Sequence, residues 1–426
     1  MPTTVVVGMQ WGDEGKGKVI DLMSPHAHVV VRINGGKNSG RTIVNEVGES
    51  VLHQIPAGIF NPEAINIIER GVVVHIPSLL EEIRMLEVQG VFLGNLQISL
   101  NAHMLMPWHI AADIMAEERA RKSGGLFIGT TKSGIGPCYE DKAGRRFAIR
   151  MGDMREKGAF LIRLESVYKE KLSQLKAFYG KVGMPSWGEI KRQYLEARER
   201  ILPHLADTRK TIQWVVENRK SVLLEVAHAF GLDPDHGTFP YNTSSNTTAL
   251  SACNLVGISP INAHIIGVVK AYPTRVGEGV LPTLIDPQSD EFIREKGNEY
   301  GATTGRPRRC GWLDVLLLRH AIGVNQCTEL ALTKADILGL FPGEIKMCTG
   351  YAGVEGDIGD EEIYYLDRQV PIYDAFFEPW GSFEGCRFRG ELPSEMRRYV
   401  TTIENLTRTP ITLLSIGPKR KEIITL

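Results

Sequence analysis

The chain has 426 residues, with 49 Lys and Arg against 50 Asp and Glu, a formal net charge of −1. That balance argues against a global field for nucleic acid or anionic membrane. Hydrophobic content of 43% and charged content of 23% exclude disorder, collagen and coiled coil as the main state.

Six cysteines (Cys138, Cys253, Cys310, Cys327, Cys348 and Cys386) include no C-x-x-C pair and no zinc spacing. They read as reduced thiols in a cytoplasmic protein. The N-terminus lacks a basic n-region, and no apolar run is long enough for a membrane span, so neither a signal peptide nor membrane insertion is expected. The 44 glycines exceed the roughly 7% average, so their positions carry information.

Val5–Val7 is a β-branched run ending at Gly8, as a buried parallel strand does. Gly8-Met-Gln-Trp-Gly-Asp-Glu-Gly-Lys-Gly-Lys-Val19 follows directly. Gly12, Gly15 and Gly17 free the backbone, and Gly12-x4-Gly17-Lys18 matches most of a phosphate-binding P-loop. Exposed N–H groups and a helix N-terminus can cradle phosphates there, with Lys16 and Lys18 adding charge. Val19 stands where Ser or Thr is usual, which leaves Asp13 as the candidate magnesium ligand. A tight strand-to-helix turn with solvated charges would use the same glycines, so the loop needs a second motif beside it.

His28–Ile33 is the next candidate strand, ending at Asn34-Gly-Gly36. Leu161, Leu164, Tyr168, Leu172, Leu175 and Phe178 recur at helical spacing, and residues 187–219 read the same way. Residues 153–219 are therefore expected to form a helical insertion. Further strands are expected at Val222–Val226, His264–Val269, Cys327–Leu332 and Ile411–Leu414. Strands alternating with helices predict an α/β fold: a large, mainly parallel central sheet with flanking helices, in one domain spanning 1–426.

Thr333-Lys-Ala-Asp336 follows the strand at 327–332. A carboxylate at Asp336 can accept from both guanine N1–H and the exocyclic amine, and the stem of Lys334 can lie along the purine. A surface Lys/Asp pair would look the same in isolation. Beside the phosphate loop, the pair makes GTP the favoured nucleotide.

Three more segments complete a pattern: Gly129-Thr-Thr-Lys-Ser-Gly-Ile-Gly-Pro137, Asp235-His-Gly-Thr-Phe-Pro-Tyr-Asn-Thr-Ser-Ser-Asn-Thr-Thr248 and Gly301-Ala-Thr-Thr-Gly-Arg-Pro-Arg-Arg-Cys-Gly-Trp312. With Gln10–Lys18 they resemble the adenylosuccinate synthetase family, in the same order, from residue 5 to Pro418. The resemblance implies a GTP- and magnesium-dependent ligase that couples L-aspartate to IMP through a 6-phosphoryl intermediate.

It also implies roles for single residues. Asp13 is the base at purine N1 and a metal ligand, with the Gly40 carbonyl as a second ligand and Lys16 beside the reacting phosphate. Asn38, Thr131, Thr243 and Arg306 hold the purine nucleotide, and Arg145 reaches its phosphate across a homodimer interface. Val276, Thr303, Thr304, Arg306 and Arg308 hold aspartate. Gly12, Gly15, Lys16, Gly17, Lys18, Thr42, Arg308, Lys334, Asp336, Ser415 and Gly417 surround GTP.

The sequence departs from the family at the reacting centre. Family members read Gly-Gly-His-Asn-Ala-Gly-His-Thr, with the second histidine as general acid. This chain has Gly35-Gly-Lys-Asn-Ser-Gly-Arg-Thr42. Arg41, with a pKa above roughly 12, gives up no proton at neutral pH, but it can neutralise charge on a migrating phosphoryl group. His228 stands in place of a base-reading Gln, and Lys132-Ser133 in place of Gly-Arg. These changes leave three readings open: the IMP ligase, a paralogue using another acceptor such as dGMP or a modified purine nucleotide, and a non-catalytic GTP-binding relative.

Overall fold

The computed structural model describes residues 3–180, 182–301 and 305–426. The strands in chain order begin with Thr3–Gly8 (β1), Val29–Gly35 (β2), Arg41–Asn45 (β3), Gly48–Leu52 (β4), Ile65–Val74 (β5) and Leu96–Ser99 (β6). His103–Met104 (β7), Leu205–Ala206 (β8), Val222–Glu225 (β9), His264–Lys270 (β10), Thr274–Arg275 (β11) and Arg309–Cys310 (β12) follow. The last are Leu313–Asp314 (β13), Glu329–Thr333 (β14), Ile345–Tyr351 (β15), Pro371–Phe377 (β16), Ile411–Ser415 (β17) and Ile423–Thr425 (β18).

An 11-stranded sheet runs in the order β18-β17-β14-β10-β1-β9-β2-β5-β6-β8, with β7 on β5. Its pairings are parallel except β17–β18, which is antiparallel. The expected mainly parallel sheet is therefore present, and each expected strand lies in it. Every residue of β1, β2 and β9 is buried. Such strands are covered on both faces, which is why they read as unbroken apolar runs rather than alternating ones.

Sequence order reverses around β1, which lies between β10 and β9. In open parallel sheets a crevice forms at such a reversal, at the C-terminal strand ends. Gly8, Gly35, Glu225, Lys270 and Thr333 all sit at those ends.

Residues 153–219 differ in detail from the expected insertion. A helix covers Lys157–Tyr179, but Phe178 is 73% exposed, so the apolar stripe leaves the core before the helix ends. The stretch 187–219 is not one helix. Pro203 ends the helix Trp187–Ile201, β8 pairs with β6 at the sheet edge, and Asp207 caps a second helix at Thr208–Glu217. Pro cannot continue a helix, and an Asp four residues later restarts one.

Among the described residues no helix is long and apolar enough to cross a membrane. All six cysteines are free.

Candidate active site

Helix α1 (Lys16–Met23) starts where the glycine loop ends. Gly12 has φ +101° and Gly15, its N-cap, φ +88°, values that disfavour any side chain. Asp13 also lies in the left-handed region, at φ 62°, which Asp tolerates better than most residues. Glu14 is buried and folds the loop from within. It accepts the Gln10 and Gly12 N–H groups at 3.2 and 2.8 Å, and Lys16 Nζ at 2.6 Å. Thr333 Oγ1 donates to the Glu14 carbonyl at 2.7 Å, which ties the glycine loop to the Thr333-Lys-Ala-Asp336 strand end. The sequence alone gives Glu14 no role, because it stands beside Asp13 in a loop of two acids and two lysines.

A cleft of about 780 Å3 opens in front of this loop. Gly12, Asp13, Gly15, Lys16, Gly17, Asn38, Gly40, Arg41, Thr42, Thr131, His228, Thr243, Val276, Arg306 and Arg308 line it. Residues from seven separate sequence segments thus share one volume. Helix Pro107–Ser123 supplies the carboxylates that shape the Thr131 side. Glu117 accepts from the Gly129 and Thr130 N–H groups, and Asp113 from Thr130 Oγ1 and the Gly134 N–H. Arg306 Nη1 donates to the Gly129 carbonyl at 3.0 Å, which closes the arginine loop onto the threonine loop. Thr303 and Thr304 lie outside the described residues.

Two charge clusters flank the cleft. In the first, Arg308 Nη2 is 2.9 Å from Asp13 Oδ1, and its Nη1 donates to Glu299 Oε2 at 2.8 Å. Glu299 is fully buried and also accepts Lys270 Nζ at 2.7 Å and the Tyr272 hydroxyl at 2.8 Å. Burial pushes the Glu299 carboxyl up, but Lys270, Lys334 and Arg308 outweigh it and hold it down at about 2.

In the second, Arg32 and Glu225 are register partners on β2 and β9. Glu225 Oε1 lies 2.6 Å from Arg32 Nη1 and 2.6 Å from Arg41 Nε. Burial, then the neighbouring Arg41, pulls the Arg32 guanidinium down to about 9, against the opposing pull of Glu225 and Glu82. It remains a cation at neutral pH.

His228 is held at φ 63°. Burial, then Arg32 and Lys16, pushes its imidazole down to about 3, so it is neutral. Its Nε2 and Asn38 Oδ1 are buried in the cleft wall without a protein partner. Buried polar atoms are seldom left so, and both therefore suit a polar ligand.

The remaining expected residues lie outside the cleft. Lys18 turns away from the phosphate loop: its Nζ donates to Ser415 Oγ and the Gly417 and Glu422 carbonyls at 2.9, 2.6 and 2.7 Å. Burial lowers it to about 8 despite Glu422 and Asp336. Lys18, Asp336, Ser415 and Gly417 thus form one neighbourhood, at the ends of β14 and β17. Lys334 Nζ donates to the Gly297 carbonyl at 2.7 Å, and burial raises the Asp336 carboxyl. Arg145 is exposed at the end of helix Ile135–Gly144, with φ 64°.

A glycine loop feeding a helix at a sheet reversal, a Thr-Lys-x-Asp strand end bonded to that loop, and a cleft before it lined by paired acids and bases define a nucleotide-dependent enzyme. A family model described as adenylosuccinate synthetase matches residues 5–424. Adenylosuccinate synthetase of Halothermothrix orenii is 44% identical over 430 residues, covering 100% of this chain and 98% of that one. That of Carboxydothermus hydrogenoformans is 43% identical over 431 residues, covering 100% and 99%. The fully ligated adenylosuccinate synthetase of Plasmodium falciparum superposes with a TM-score of 0.91 at 35% identity, over 99% of each chain. The succinoaminodeoxyadenylate synthetase of cyanophage S-2L, bound to dGMP and dATP, reaches 0.60 at 20% identity over 100% and 95%, a likeness of fold alone. The chain belongs to the adenylosuccinate synthetase family, GTP-using ligases that form a C–N bond.

Proposed function

We propose that the chain joins L-aspartate to the 6-position of IMP at the expense of GTP, yielding adenylosuccinate, GDP and phosphate. The carrying observation is the single cleft. In it the glycine loop, the Asp13–Arg308 pair and the unpartnered Asn38 and His228 atoms face the same space.

The GTP phosphates lie against the loop N–H groups and Lys16, with Gly12, Gly15, Gly17 and Thr42 around them. Asp336 reads the guanine edge, with Lys334 along its face and Lys18, Ser415 and Gly417 enclosing it. Asn38, Thr131, Thr243 and Arg306 hold IMP, and His228 meets its base edge. Arg145 reaches the nucleotide phosphate from a second copy of the chain, which makes the working unit a homodimer.

Asp13 takes the proton from purine N1. The 6-oxygen, now richer in electrons, attacks the γ-phosphorus of GTP, and GDP leaves. Arg41 neutralises charge as the phosphoryl group moves. The aspartate amine then attacks C6, and phosphate departs with the 6-oxygen. Arg306 and Arg308 hold the aspartate carboxylates through paired N–H donors, with Val276, Thr303 and Thr304 beside them.

One carboxylate and one loop carbonyl suit magnesium, which takes few protein oxygens and fills its shell with water and phosphate. Asp13 and Gly40 would hold it, and it would supply charge neutralisation at the phosphates.

The test offers purified protein GTP, magnesium and aspartate with IMP, dIMP, GMP or dGMP. Aspartate-dependent phosphate release is expected to be fastest with IMP. Turnover of IMP no faster than that of the others contradicts the assignment.

A further inference from the structure

Glu225 ends β9 with 1% of its side chain exposed, a single charge in an otherwise apolar strand. Its Oε1 lies 2.6 Å from both Arg32 Nη1 and Arg41 Nε, and its Oε2 accepts the Ala57 N–H at 2.8 Å. The contact to Arg41 Nε is an ion pair, and the two Nη groups hold the guanidinium by hydrogen bonds. Nη1 donates to the His53 carbonyl at 2.9 Å, and Nη2 to the Ile55 carbonyl.

Those carbonyls are fixed in turn. Buried Glu82 accepts the N–H groups of His53, Gln54 and Ile55 at 3.1 to 3.2 Å. The Arg41 stem packs on Gly17, where an added Cβ would lie 3.4 Å from Arg41 Cβ. The guanidinium is thus seated in a fitted socket beside the phosphate loop. An imidazole is too short to reach all three anchors and has no second pair of donors.

We propose that Glu225 is the positioning residue for Arg41, holding its guanidinium as a fixed cation in the wall of the phosphoryl-transfer cleft. The same carboxylate steadies the loop before Gly40, because Arg32 Nη2 donates to Ser39 Oγ at 2.5 Å. A cation aimed in advance needs no reorganisation when charge develops, which is where electrostatic catalysis gains most. Glu225 contributes no group to the substrates and acts through Arg41. The inference rests on the charge-neutralising role given to Arg41 above.

A double-mutant cycle read on kcat and KM tests it. Glu225→Gln keeps the shape and an acceptor but removes the charge. It is expected to lower kcat about tenfold or more, a coupling of ordinary size for contacting residues. KM for GTP, IMP and aspartate is expected to stay within about threefold, the pattern of a lost transition-state interaction.

In an Arg41→Leu background the same change is expected to lower kcat no further. Equal losses in both backgrounds, or no loss in the parent, overturn the proposal. If Arg41→Leu alone keeps the parent kcat, the role of Arg41 falls first and the positioning role with it. Should Glu225→Gln accumulate too little folded protein, Glu225→Asp, with its charge kept and its reach shortened, runs the same cycle. The expected result is again a kcat loss confined to the Arg41-bearing chain.

Discussion

The two charge clusters beside the cleft are built alike and serve different ends. Each centres on one buried carboxylate bridging cations: Glu299 among Lys270, Arg308 and, at 3.8 Å, Lys334, and Glu225 between Arg32 and Arg41. The Glu299 cluster ends on Asp13, inside motifs that carry the family resemblance. The Glu225 cluster ends on Arg41. A buried charge is costly unless paired, so the Arg41 cation can be accepted only where a carboxylate and carbonyls receive it. Glu225 and the 53–55 carbonyls supply such a place.

The largest break to this comparison is Asp13→Ala. It removes the proposed base, a proposed metal ligand and the Arg308 partner together. Aspartate-dependent phosphate release with IMP is expected to fall by at least the roughly 10²–10⁴-fold of a lost acid–base group. Appreciable residual turnover would show that Asp13 is not the base.

Glu299→Ala acts further from the substrates. It strands Lys270 as a buried cation and leaves Arg308 with Asp13 alone, and breaking one partner of a buried pair costs about 3–5 kcal/mol. Urea unfolding should show that loss. An unchanged midpoint would mean that the cluster relaxes into water.

A smaller effect separates the clusters by pH. Burial, then Arg41 and Arg32, pushes the His53 imidazole down to about 4. In the unfolded chain histidine titrates near 6.5, so between these values the unfolded state binds more protons. The stability due to neutral His53 is full above about pH 6.5 and is lost as pH falls toward about 4. Melting temperature should decline over that window, and His53→Gln should shallow the decline. A slope that His53→Gln leaves unchanged would place the titrating group elsewhere.

Much of this was legible in sequence. Buried parallel strands announce themselves as β-branched runs, and glycine loops as punctuation after them. That is why β1, β2, β9, β10, β14 and β17 could be placed in advance. The pairings could not. Arg32 and Glu225 are 193 residues apart, and only strand order makes them neighbours. Lys18 looked like a phosphate ligand because it sits in the loop, yet helical geometry sends it to the other side of α1, toward 415–422. Pro203 was visible in the sequence, and its break was hidden by the apolar residues on either side. Glu225 carries a signal in the sequence, an acid inside the apolar run 222–227, which survives burial only with partners, whereas Glu299 lies in a polar stretch that carries none.

The most direct test of the account compares the parent with Arg41→His and Arg41→Leu in aspartate-dependent phosphate release with IMP and GTP. The parent is expected to be active and Arg41→Leu to lose about 10²-fold, as when one charge-stabilising donor is removed from a transition state. Arg41→His is expected to fall between them, because it supplies a protonatable ring but leaves the socket unfilled. Arg41→Leu as active as the parent, or Arg41→His more active than the parent, would contradict the claim that this chain works through a socketed arginine.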